Sequence, residues 1–138
     1  MNTKIFYTSL KTPTEKIRFL VKVAHSYFQK NQRLIIFTND AKTAEFVDQI
    51  LWSEPKDGFL PHFISQTLLE ECIVITYEKS NLNQAKVALN LTNEPIDNTN
   101  MNLQSIIEIE DTSTKEKYIT FKNKLNHYQK RNLSIVSI

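Results

Sequence analysis

With 138 residues, 41% of them hydrophobic and 23% charged, the chain fits one soluble globular domain, 1–138, large enough to build its own core. A net charge of +2 is too small to argue for bulk nucleic-acid binding, and a single cysteine, Cys72, excludes an intramolecular disulfide or a multi-cysteine metal site. No apolar run approaches the roughly 20 residues of a membrane span. The start, MNTKIFYTSLKT, carries no long apolar run and no cleavage site, so the composition predicts a cytoplasmic protein without a signal peptide.

Ile5-Phe6-Tyr7 predicts a short opening strand. Thr12-Pro13-Thr14-Glu15 then combines an N-cap, a proline at the first helical position and a capping-box glutamate. In the helix that follows, Ile17, Leu20, Val21, Ala24, Tyr27 and Phe28 share one face, while Lys16, Arg18, Lys22 and Gln29 lie away from it. The run Arg33–Thr38 has the continuous apolar character of a strand buried on both faces. Asn39 and Asp40 can cap a second helix with Ala44, Val47, Ile50 and Leu51 inward. The opening β-α-β-α order implies parallel strands joined by helical crossovers.

Leu51 to His62 holds the only Trp, the only Gly and two of the four Pro, so it cannot continue as a long helix. A loop carrying Trp52 and Phe59 among prolines is rigid, apolar and hard to hide. That is the makeup of a binding surface rather than a catalytic pocket. The plainer alternative is that both rings fold back and plug the core.

Further along, Cys72–Tyr77 predicts a buried strand and Lys86–Leu91 a half-buried one, with Val87, Leu89 and Leu91 alternating. Residues 92–102 are mostly polar and predict a loop. Ser105–Ile109 is the next strand. Ser113 with Glu116 can form a capping box for a last helix reaching about Arg131, and Leu133–Ile138 is a short apolar tail, strand or packed coil.

That last helix carries Lys115, Lys117, Lys122, Lys124, Lys130 and Arg131 against only Glu116. Lys117, Lys124 and Arg131, seven apart, predict one basic stripe, and Lys115 with Lys122 a neighbouring one. Tyr118, Phe121, Leu125 and Tyr128 mark the inward face. A solvated basic face is the plain reading. The sharper one is a docking site for an acidic peptide or nucleic acid, with lysines steering the charge and a ring-lined groove holding an apolar end.

Catalytic signals are missing. A Gly-rich phosphate loop needs glycines for its tight turn, and the one glycine, Gly58, lies far from the first strand. Thr8–Thr12 reads as ordinary helix capping. His25, His62 and His127 are isolated in sequence, which predicts no metal site and no cofactor. Cys72 follows Glu70 and Glu71, whose charge disfavours a thiolate. No nucleophile elbow supports a small α/β enzyme.

The segment Leu34 to His62, LIIFTNDAKTAEFVDQILWSEPKDGFLPH, resembles the chi subunit of bacterial DNA polymerase III. In that family a β-α-β-α start leads into a Leu-Trp-x-x-Pro-x-x-x-Phe-x-Pro-His loop, here Leu51-Trp52, Pro55, Phe59 and Pro61-His62 with matching spacing. The likeness extends to Phe6-Tyr7, to the overall length and to a late basic helix with Tyr128 near its end; from Phe63 to Ser105 it holds only in outline. It implies a Rossmann-like three-layer α/β fold, with a mostly parallel central sheet, helices on both faces and no Gly-rich nucleotide loop. It also implies a non-catalytic adaptor of the holoenzyme's clamp-loader complex, not an enzyme.

By the same resemblance, such a subunit bridges the psi subunit of the clamp loader to the acidic C-terminal tail of single-stranded DNA-binding protein. Trp52 and Phe59, with Pro55 and Pro61 of their loop, take the psi-binding positions, which in some bacteria also bind an iron–sulfur helicase. Lys122 stands at the family's main arginine by register from Tyr128, with Lys124 as a helper and Lys117, Leu125 and Tyr128 completing the tail set. Lysine lacks the planar two-pronged grip of arginine on a carboxylate. Leu125 stands where a tyrosine is expected. Both departures imply weaker tail binding or a shift toward Lys117, Lys124 and Arg131. Nucleic acid would then be met only indirectly and a membrane not at all. The alternative is a direct single-stranded nucleic-acid module using the basic C-terminal helix. It fits less well, because the aromatics are not interleaved along the lysine stripe as stacking platforms require.

Overall fold

The structure, a computed structural model, describes residues 3–54 and 58–138. The elements run β1 (Lys4–Leu10), α1 (Pro13–Gln29), β2 (Leu34–Phe37), α2 (Ala41–Ser53), β3 (Phe63–Ile64), β4 (Ile73–Thr76), β5 (Val87–Asn90), β6 (Ser105–Asp111), α3 (Lys115–Lys130) and β7 (Ser134–Ser137). The strands form one seven-stranded sheet in the order β3-β4-β2-β5-β6-β1-β7. All its strand pairs run parallel, from β3 against β4 at one edge to β1 against β7 at the other.

The pleat divides the core in two. Leu34 and Ile36 of β2, Ile73 and Ile75 of β4 and Leu89 of β5 pack with α1 and α2 through Leu20, Ala24, Ala44, Val47 and Leu51. Their neighbours Ile35, Phe37, Val74, Ala88 and Ile106 point the other way. There they meet Tyr128 of α3 and the connections on either side of β5, through Leu82, Ala85, Ile96 and Leu103. This is the Rossmann-like three-layer arrangement. The turn after β1 contains no glycine.

Local chemistry explains the helix ends. The Thr12 side chain accepts from the Glu15 N–H at 3.1 Å and the Glu15 carboxylate accepts from the Thr12 N–H at 2.9 Å, closing the capping box around Pro13. Asp40 caps α2 by accepting from the Thr43 N–H at 2.8 Å. With so little glycine, asparagine takes the left-handed positions. Asn31 (φ 55°) and Asn132 (φ 58°) follow the C-caps of α1 and α3. In each case paired backbone bonds close the helix: Asn31 N–H to Phe28 O and Gln32 N–H to Tyr27 O, then Asn132 N–H to Gln129 O and Leu133 N–H to Tyr128 O.

Four sequence expectations need correction. Helix α3 is capped by Thr114, whose side chain accepts from the Lys117 N–H, because Ser113 is already turned to the Asp111 carboxylate at 2.6 Å. Strand β5 is buried on both faces rather than half-buried; its large side chains meet the helices while Ala88 and Asn90 face the opposite layer. Helix α2 runs on through Leu51, Trp52 and Ser53 before stopping. Strand β3 was not anticipated: it is two exposed residues long and too short to carry a period.

Candidate functional site

The first candidate face lies where α2 ends and the chain turns toward β3. Leu60 is fully buried and completes the α1/α2 core. His62 is also buried, and its two ring nitrogens are tied down on both sides. Nδ1 donates to the Leu60 carbonyl at 2.7 Å, and Nε2 lies 3.1 Å from both the carbonyl and the carboxylate of Asp48 on α2. The imidazole stacks against Trp52 with centroids 4.2 Å apart, and Trp52 meets Phe59 at 6.5 Å.

Leu60 and His62 therefore fill the place that the sequence offered to the two aromatic rings. Trp52 stays 53% exposed and Phe59 73% exposed. Pro61 is half-buried between Leu60 and His62, and Pro55 lies outside the described residues. Phe63 and Ile64 of the edge strand extend the exposed apolar surface. Exposed rings held by a buried anchor cost little to order when a partner covers them. Sequence reasoning missed His62 as that anchor. Its partner Asp48 is 14 positions away and gives no local signal.

The second candidate face is α3, and here burial divides the expected residues. Lys117 and Lys122 are exposed, but Phe121, Lys124, Leu125 and Tyr128 are buried. The expectation that Lys124 offers its charge to a ligand is corrected. It is 6% exposed and its ammonium donates to Glu108 Oε1 at 2.7 Å and to the Thr92 carbonyl at 3.0 Å. The reason is Glu108, a carboxylate on β6 facing α3 and almost wholly enclosed. Its other oxygen accepts from the Tyr128 hydroxyl at 2.6 Å and from Asn90 Nδ2 at 2.7 Å.

Burial pushes the Glu108 carboxyl above the usual carboxylate range, and the Lys124 charge with the bonds from Lys124, Tyr128 and Asn90 offsets only part of that. The Tyr128 hydroxyl is raised as well, by burial and then by the Glu108 charge. It also accepts from the Ile96 N–H at 3.0 Å, so the network ties the 91–104 connection to α3. Leu125 and Tyr128 are thus core residues of the helix rather than surface contacts.

What remains outward on α3 falls on two sides. Lys117 lies on the side of Lys124 and approaches Asp111 at 4.0 Å, and Arg131 on the same side pairs with Asp97 at 3.5 Å. Lys115 and Lys122 lie on the other side, beside exposed Tyr118 and Ile119. The nearby end of the sheet is the edge strand β7, which touches α3; Ile135 packs toward Tyr128 on the α3 face, while Val136 alternates to the opposite face.

Elsewhere chemistry is quiet. The Cys72 thiol donates to the Gln32 carbonyl at 3.0 Å, and burial pushes its pKa up, with Arg33 opposing and Glu71 adding to the rise. Among the described residues no group of three or more His, Cys, Asp or Glu is placed to hold a metal ion, and no helix is long and apolar enough to cross a membrane.

A search of curated proteins finds no match to the chain. A family model, the DNA polymerase III chi subunit, HolC, matches residues 1–136 of the 138. With nearly its whole length matched, the chain belongs to the DNA polymerase III chi subunit family.

Proposed function

We propose that this chi-family chain is a non-catalytic adaptor within the DNA polymerase III holoenzyme. It joins the clamp-loader complex to the acidic C-terminal tail of single-stranded DNA-binding protein. The psi subunit, and in some bacteria also an iron–sulfur helicase, covers Trp52 and Phe59, with Pro61 beside them and Pro55 as a further contact. The tail lies on α3 across Lys115 and Lys122, its charges steered by those ammonium groups and its apolar end lodged among Tyr118, Ile119 and the neighbouring β7 edge. Lys117 adds to the attractive field. Lys124, Leu125 and Tyr128 hold the helix in position from inside.

The observation that carries this reading is the separation of the two exposed faces. One adjoins β3 and the other adjoins β7, the opposite edges of the seven-stranded sheet. Six strand intervals of about 4.8 Å put them about 29 Å apart. Two partners can therefore be held at once without touching, and two modest contacts then act together by avidity.

The test is binding to single-stranded DNA in three forms: bare, coated with single-stranded DNA-binding protein, and coated with that protein lacking its last ten or so residues. The adaptor reading predicts binding to the second form only. Binding to bare DNA with a steep dependence on salt would replace it with direct nucleic-acid contact.

A further inference from the structure

We infer that the chain has a further binding site, sharing Lys117 with the α3 face but otherwise separate from both faces above: a cleft at the carboxyl ends of β5 and β6, shaped for a small aryl or branched-alkyl carboxylate. The cleft has a volume of about 320 Å³ and opens between α1, α2 and α3. In open parallel sheets, ligands settle outside the carboxyl ends of the strands where the connections diverge. Here β2 leads through α2 toward the β3 edge, while the adjacent β5 leads toward β6 and the other edge. The cleft lies at this divergence, with Thr43 and Phe46 of α2 on one side and Asn90 to Asn93 following β5 on the other.

Its walls are of two kinds. Ile17, Leu20, Ile50, Ile109 and Phe121 make an apolar floor, and Phe46 stands at its rim 60% exposed. A planar or branched apolar group would cover that ring. At the β6 end, Asp111 Oδ2 is shared by two ammonium groups, Lys16 at 2.9 Å and Lys117 at 4.0 Å. One carboxylate between two lysines leaves a single positive charge at the mouth. Lys124 also lines the cleft, but Glu108 already neutralises it.

Charge and size select the ligand class. One surplus positive charge suits a monoanion; a phosphate or nucleotide would meet Asp111 with no glycine loop to cradle it. A cavity at the lower end of ligand-site volumes suits about ten heavy atoms rather than a dinucleotide. The same chemistry is offered by a free metabolite acid and by the C-terminal aromatic residue of a peptide, and the two are separable.

The experiment is an amide NMR titration of the full chain with 3-phenylpropionate, with 3-phenylpropionamide as the uncharged control. Saturable shifts at Leu20, Phe46, Ile109 and Phe121 with millimolar affinity are expected, and none with the amide. Lys117→Glu should weaken binding about fivefold or more. Phe46→Ala should weaken it too, and Lys122→Ala should leave it unchanged. Because Lys117 and Phe46 are exposed, these variants keep the fold. A parallel titration with an acidic peptide ending in Phe identifies the source: shifts of the same signals support a peptide terminus, and their absence supports a free acid. Non-saturable shifts, equal shifts with the amide, or shifts confined to the α3–β7 side would overturn the proposal.

Discussion

Lys124→Met removes one half of the buried pair while keeping the aliphatic stem. Glu108 would then be enclosed with only the Tyr128 hydroxyl and Asn90 amide for company. Breaking a buried pair by deleting one partner costs about 3–5 kcal/mol, and the two remaining donors argue for the lower figure, about 3 kcal/mol. At a urea slope of about 2 kcal/mol/M, the unfolding midpoint should fall by about 1.5 M. Thermal unfolding should drop by about 10 °C. Adding Glu108→Gln should recover more than half of the loss, since a carboxamide needs no counter-ion.

The pH dependence has a definite sign. Loss of Lys124 lifts the folded-state pKa of Glu108 further above its unfolded value of about 4.3. A raised carboxyl is penalised as pH climbs, so the gap between variant and wild type should shrink on going from about pH 8 to about pH 5. Urea titrations at several pH values read both effects. A Lys124→Met midpoint equivalent to within about 0.5 kcal/mol of wild type would refute the assignment of Lys124 to the interior.

Trp52→Ala and Phe59→Ala should each change stability by less than about 1 kcal/mol, because both rings are already solvent-exposed, while weakening capture of a psi partner about tenfold or more. Several kcal/mol lost in urea would instead mark them as core. His62→Ala should cost about 2 kcal/mol, since it removes a buried, fully bonded ring, and should shift Trp52 fluorescence as the indole loses its stacking partner. Backbone hydrogen bonds at the caps hold Glu15 and Asp40 below the ordinary carboxylate range. Their stabilising effect is present above about pH 4 and is lost as pH falls through the depressed folded values. Asp40→Asn, which caps equally well without titrating, should match wild type at neutral pH and fall less steeply in acid.

The sequence carried the fold well wherever a local rule operates. Thr12, Pro13 and Glu15 stand within four positions and specify the start of α1 without help from elsewhere. The apolar runs of β2 and β4 announced burial on both faces. Features that depend on distant partners were not legible. Lys124 looked like one more surface lysine because Glu108, which draws it inside, is on another element, and because a seven-residue spacing says which residues align but not which way the row faces. Likewise Ser113 and Thr114 are equally good caps until Asp111 claims the serine. The aromatic loop was legible as a binding surface by composition; its anchoring by His62 and Asp48 was not, since it joins the loop back to α2.

The adaptor account turns on whether α3 reads an acidic tail through its Lys122 side. The direct measurement is fluorescence anisotropy of a labelled peptide copying the C-terminus of the cognate single-stranded DNA-binding protein, with a control peptide lacking the final Phe. The account predicts saturable binding to the full peptide, little to the control, and a loss of about tenfold in Lys122→Ala with unchanged urea stability. Full-strength binding in both Lys122→Ala and Lys115→Ala, or equal binding of the control peptide, would contradict it.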